Sequence, residues 1–126
     1  MAHDNMKSCI DACNECAIAC DHCAAACLQE KDLAMLARCI ALDLDCAQLC
    51  RTAVTLMSRG SDLSSEVCET CAQACDLCAE ECERHDMDHC RACALACRRC
   101  AEECRRMAKS RAAARKSATQ TGAAAH

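Results

Sequence analysis

Five cysteines crowd the stretch "CNECAIACDHCAAAC", Cys13 to Cys27, and with Cys9 in front they step by 4, 3, 4, 3 and 4 residues. Alternating threes and fours give a 3.5-residue period, the a/d seam of a helix packed in a left-handed bundle. The pattern returns at Cys68, Cys71, Cys75, Cys78 and Cys82, and again at Cys90, Cys93, Cys97, Cys100 and Cys104, both times with steps of 3, 4, 3 and 4. A thinner version, Cys39, Cys46 and Cys50, lies between the first run and the others. With no proline and only Gly60 and Gly122 to interrupt the chain, four helices are predicted.

The residues around each seam agree with that reading. In the first helix Ile10, Ala12, Ala17, Ala19, Ala24 and Ala26 flank the thiols, and Asn14, Glu15, Asp21 and His22 face outward. In the fourth, Ala94, Ala96 and Ala101 are the small flanks, Glu103 is an exception, and the arginines lie outside. The second helix is different: its seam reads Leu36, Cys39, Asp43, Cys46, Cys50, Ala53, Met57. Leu42, Leu49 and Leu56 run along one flank, with Leu33, Ile40, Ala47 and Val54 along the other. This helix is expected to anchor the bundle without any ligand.

Short links join the helices. Asp32 is placed to cap the second helix, Gly60 to end it, Ser61 or Asp62 to cap the third, and Asp86 or Asp88 to cap the fourth. Short links between long helices favour an all-α, antiparallel up-down-up-down four-helix bundle with a cysteine-lined core. It is expected to span residues 1–116, with residues 117–126 a disordered tail.

The composition forces cysteine into that core. There is no Phe, Tyr or Trp, and Leu, Ile and Val together make up about 12% of 126 residues. The largest apolar contributions are 27 alanines and 19 cysteines, and a protonated thiol does behave as a small hydrophobe. Leucine at the same places would nevertheless make a more stable core. The thiols are therefore read as chemistry and not as packing. A disulfide framework does not fit: the count is odd, and thiols along one helix face cannot meet disulfide geometry. The amino-terminal "MAHDNMKSC" has no apolar leader and no run is long enough to span a membrane, so a reducing, cytoplasmic setting is expected.

Soft thiolates select Cu(I), Zn(II) or iron–sulfur clusters. Iron–sulfur motifs wrap loops with two C-x₂-C steps in succession, which do not occur here. Paired C-x₂-C units from two helices could supply four-thiolate zinc sites, so a metallothionein-like zinc or general soft-metal detoxification role stays open as the alternative. Cu(I) fits better. It accepts two or three thiolates, and neighbours at i, i+3 and i, i+4 can share an ion. One Cu⁺ replaces one thiol proton, so a dry core fills without gathering charge. The capacity expected from ligand count is on the order of nineteen ions per chain.

Four helices carrying repeated C-x₂-C and C-x₃-C on their inner faces resemble the bacterial copper storage proteins, over about residues 5 to 107. The absent leader is similar to their cytosolic class. The resemblance implies many Cu(I) ions stored inside a four-helix bundle, and a homotetramer of such bundles. The second helix departs from it, with three cysteines and with Asp43 on the seam.

Asp43, His85 and His89 are further candidate ligands, expected together at one end beside Cys27 and Cys39 as a mixed mouth. Met6, Met57 and Met107 are expected at the other end, beside Cys9, Cys50, Cys68 and Cys104, as gap-fillers or soft ligands. His3, His22 and His126 are read as solvent-facing. No nucleophile–base arrangement, phosphate loop or open metal motif points to an enzyme. The basic run from Arg105 to Lys116 lacks stacking aromatics in a chain of pI about 5.7, which argues against nucleic acid.

Overall fold

A computed structural model describes the backbone of residues 2–125 and the side chains of residues 6–110. Four helices follow one another: α1 (Ala2–Cys27), α2 (Leu33–Ser58), α3 (Ser64–Cys82) and α4 (Asp88–Ala125). Each packs on two neighbours, α1 on α2 and α4, and α3 on α2 and α4, while the diagonal pairs meet across the axis through core side chains such as Cys16–Cys75 and Cys46–Cys97. The result is a square, antiparallel bundle around one axis.

The helix ends follow from local chemistry. Asp32 caps α2, its carboxylate accepting from the Met35 N–H at 3.1 Å. At the other end of α2 the Gly60 N–H bonds the Met57 carbonyl and the Ser61 N–H the Leu56 carbonyl, both at 3.0 Å. This paired closure needs a left-handed residue, and Gly60 supplies it with φ of 66°. The cap of α3 differs from expectation. Ser61 and Asp62 precede the helix, which starts at Ser64 after Leu63. The Ser61 hydroxyl instead accepts from the Leu63 N–H at 3.0 Å, closing a turn before the helix begins. The backbone of α4 is helical to Ala125, with no break at 116. The tail expected over 117–126 has its side chains outside the described residues, as do His3 and His126.

The core is mostly sulfur. All nineteen cysteines are buried, none more than 1% exposed. They are packed by Ala12, Ala17, Ala47, Ala53, Ala72 and Ala79, whose small side chains let the helices approach. Of the α2 leucines, Leu36 alone is fully buried; Leu42, Leu49 and Leu56 are half-buried and Leu33 is exposed. The anchor role of α2 therefore rests on Leu36, Ala47, Ala53 and Met57 more than on its leucine flank. Ion pairs cross each outer seam: Arg51–Asp21 at 2.7 Å between α2 and α1, Arg99–Glu15 between α4 and α1, and Arg98–Asp76 at 3.4 Å between α4 and α3. Exposed pairs of this kind contribute about 0–1 kcal/mol each and mainly fix register.

Candidate metal centre

Because the helices alternate in direction and share the seam period, their inward residues fall into layers, one from each helix. The clearest is Cys16, Cys46, Cys75 and Cys97, whose Sγ atoms lie 3.5 Å (Cys46–Cys75) to 4.0 Å (Cys46–Cys97) apart. Below it Cys13, Cys50, Cys71 and Cys100 repeat the arrangement, with Cys13–Cys100 and Cys50–Cys71 both at 3.6 Å. Cys9, Cys68 and Cys104 follow, with Cys9–Cys104 at 3.7 Å. Above the middle come Cys20, Cys78, Cys93 and Asp43, then Cys23, Cys39, Cys82 and Cys90, then Cys27.

Adjacent layers are in contact. Cys16–Cys20, Cys93–Cys97, Cys23–Cys27 and Cys100–Cys104, each an i, i+4 step on one helix, are all 3.9 Å apart. Several four-thiol groups, among them Cys13/Cys71/Cys100/Cys104, Cys20/Cys78/Cys93/Cys97 and Cys23/Cys27/Cys39/Cys90, have their sulfur atoms within 4.8 Å of one another. The column is continuous, so an ion held at one level would be within reach of thiols of the next.

All the thiols are free. Burial is the largest cause holding Cys27 up, to about 11, with the Cys39 thiol adding to it. Cys90 is likewise raised, first by burial and then by Cys27. Protonated thiols at Cys27 and Cys90 suit a metal-free state at this dry end of the column.

Asp43 is a correction to the expected mouth. It is fully buried and sits two layers inside the Cys27 end of the column, in the place of an α2 thiol. Cys78 and Cys93 donate to its Oδ1 at 3.1 and 3.2 Å, Cys82 does so at 3.7 Å, and Cys39 approaches Oδ2 at 3.9 Å. Burial, then the nearby Cys93 and Cys78, push its pKa up to about 11. The helix register explains the depth: Asp43 lies one turn after Cys39, and Cys39 already belongs to the layer of Cys82.

The two histidines separate. The His89 Nε2 is 3.5 Å from Cys27 Sγ and continues the column outward. His85 is 8% exposed, and its Nε2 meets the Glu81 carboxylate at 2.9 Å. No thiol is in hydrogen-bond reach of the His85 ring among the described residues. Glu81 was not anticipated from the sequence, although a Glu four residues before a His on one helix edge is a readable pairing signal. At the far end Met6, Met57 and Met107 are buried at 1%, 0% and 3% exposure and join the core, and His22 is exposed.

Sulfur spacing alone does not choose the metal. With zinc–sulfur bonds of about 2.3 Å, the edges of a tetrahedral zinc site would be about 3.8 Å, within the range found here. Charge does choose. Four thiolates around Zn²⁺ leave an excess of two negative charges per site, costly in this interior, whereas Cu⁺ for H⁺ leaves none.

The family model described as copper storage protein matches residues 2–109. The chain belongs to the copper storage protein family. Among solved structures, metal-free copper storage protein 3 from Bacillus subtilis is 47% identical, covering 82% of this chain and 98% of that one, with a TM-score of 0.77. The Cu(I)-bound copper storage protein BsCsp3 has the same identity and coverage and a TM-score of 0.80. A cytosolic copper storage protein from Streptomyces lividans, loaded with five coppers, is 38% identical over 86% of this chain and 95% of that one, with a TM-score of 0.83. Nothing matches among the curated proteins. A copper storage fold and a column of shared thiols thus coincide in one chain.

Proposed function

We propose that this protein stores Cu(I) in the cytosol, binding on the order of nineteen ions per chain along its thiol column. The observation that carries this is the layering of nineteen buried, free cysteines, with neighbouring sulfurs such as Cys46–Cys75 and Cys46–Cys97 3.5–4.0 Å apart. Each ion displaces one thiol proton and is shared between layers, so filling is charge-neutral at every stage. The cytosolic setting is supported by the Streptomyces lividans relative, described as cytosolic, and by the need to keep the thiols reduced. None of the described helices is long and apolar enough to cross a membrane.

The ligand set proposed is the nineteen cysteines with Asp43, His85 and His89. Asp43 completes the layer of Cys20, Cys78 and Cys93 as an oxygen donor. The histidines stand at the outer end as weaker, exchangeable ligands through which ions enter. Association into a homotetramer is proposed from family membership. Sedimentation of the intact protein tests it, and a monomer at all concentrations would remove it without touching storage. Metal analysis of protein purified from cells supplied with both copper and zinc tests the metal. Copper in excess of ten ions per chain supports storage; zinc alone, in multiples of one per four thiols, supports the zinc reading.

A further inference from the structure

The seams of α1 with α2, α1 with α4 and α3 with α4 are bridged by Arg51–Asp21, Arg99–Glu15 and Arg98–Asp76. The seam between α2 and α3 is built differently. Arg38–Glu81, at 3.5 Å, crosses it near the Cys27 end. Beyond that pair lies a groove in which Leu42, Asp45 and Leu49 of α2 face Thr70, Ala74 and Leu77 of α3, with Asp45 its one charged side chain. Leu42, Leu49 and Ala74 are half-buried, and Leu77 is 46% exposed. The groove runs on along α2, through Gln48, to a second hollow lined in part by Thr52, Leu56 and Arg59. Leu42, Leu49 and Leu56 stand seven residues apart, and so do Asp45, Thr52 and Arg59. At that spacing α2 carries two adjacent rows, one apolar and one reading acid, hydroxyl, base. Asp45 and Arg59 are both exposed, and neither is in an ion pair among the described residues.

We propose that the α2–α3 face is where a second copy of this chain docks, its α2 antiparallel to the first about Thr52, so that Asp45 of each copy meets Arg59 of the other. A two-fold contact presents the same patch on both copies, so a self-fitting surface must keep like charges apart. The second row of α2 meets that condition. Reversal about Thr52 exchanges Asp45 with Arg59, which stand seven residues to either side of it. The same reversal sets Leu49 of one copy near Leu56 of the other. A dissimilar protein would have no need of this symmetry. The area is sufficient: the 19 residues of α3 span roughly 28 Å. Two helices side by side are about 20 Å wide, so docking would bury roughly 560 Å² on each copy, enough to clear the ~1,000 Å² total of a specific interface. The contact gives a surface to the association proposed above, and rests on that reading; it is independent of copper binding.

The test is sedimentation of the full-length, reduced, metal-free protein over a range of concentrations, with circular dichroism to hold every variant to the parental helicity. The parent should associate. Asp45→Arg sets two cations against each other twice in the contact, and Arg59→Asp does the same with anions. Each should weaken association by about tenfold or more. The two changes combined restore opposite charges and should return association to the parental strength, a rescue that mere damage to α2 would not give. Leu95→Glu, at a leucine 74% exposed on α4, should leave association unchanged. Parental association in both single variants would overturn the proposal, as would a double variant as weak as the singles, or dissociation by Leu95→Glu. A monomeric parent would remove association altogether. A parent that associates and ignores the charge reversals would leave association standing and overturn this contact alone.

Discussion

The two ends of the bundle are built from different chemistry. At the end near the links 28–32 and 83–87, the column ends at Cys27 and His89, His85 pairs with Glu81, and Leu36 is fully buried. At the other end Cys9, Cys68 and Cys104 are followed by the dry thioethers of Met6, Met57 and Met107. Apart from thiols, the buried ionisable side chains among the described residues are Asp43, Glu81 and His85, and all three belong to the first half. One end therefore carries buried oxygen- and nitrogen-bearing side chains. The other offers apolar bulk that excludes water. On the storage proposal, this difference assigns ion entry to the first end and stability to the second.

The sharpest way to break this comparison is to damage the methionine end. Met57→Ala empties a fully buried position and should cost about 2–5 kcal/mol of apo-protein stability, read by denaturant unfolding, without slowing Cu(I) loading. A slowed rate would make that end the entrance. Next comes Asp43. Its folded pKa of about 11 stands far above the ordinary unfolded value near 4, so the folded state holds a proton that the unfolded chain has released between those limits. Its share of stability is fully present below pH 4 and is lost as pH rises toward 11. Asp43→Asn has nothing to titrate. It should stabilise the apo-protein at pH 8 by up to about 5 kcal/mol and flatten the stability–pH slope, with little difference at pH 4. An unchanged slope would mean that Asp43 is ionised inside the column.

The double substitution His85→Ala with His89→Ala should slow loading by about tenfold, equivalent to about 1.4 kcal/mol, and leave capacity nearly intact. Equal loss of rate and capacity would make the histidines bulk storage ligands instead of an entry step. The smallest effect belongs to Met57→Leu with Met107→Leu. These swaps conserve volume and should change stability by less than about 1.5 kcal/mol and loading not at all. Loss of bound copper from this variant would make the thioethers ligands.

Much of this was legible in the cysteine spacing. A 3.5-residue period repeated on four segments implies four inward faces, and the burial of Cys9 through Cys104 follows from it. Asp43 was readable as a seam residue, but its depth was not. Layer membership depends on how antiparallel helices slide against each other, and no single segment contains that information. His85 and His89 look equivalent at the ends of their seams, yet one touches Cys27 and the other turns to Glu81. The outcome depends on the five-residue turn between α3 and α4, where short-range periodicity stops. The leucines of α2 misled in a similar way. A heptad flank can lie at the edge of a seam, and alanine on the facing helices draws the bundle too close for Leu42 and Leu49 to enter.

Anaerobic titration of the reduced protein with Cu(I), following metal bound and protons released together, bears most directly on the thiol column as a store. Saturation on the order of nineteen ions per chain, with about one proton leaving for each, is the expected result. Saturation at four ions or fewer, or proton release well below one per ion, would contradict it.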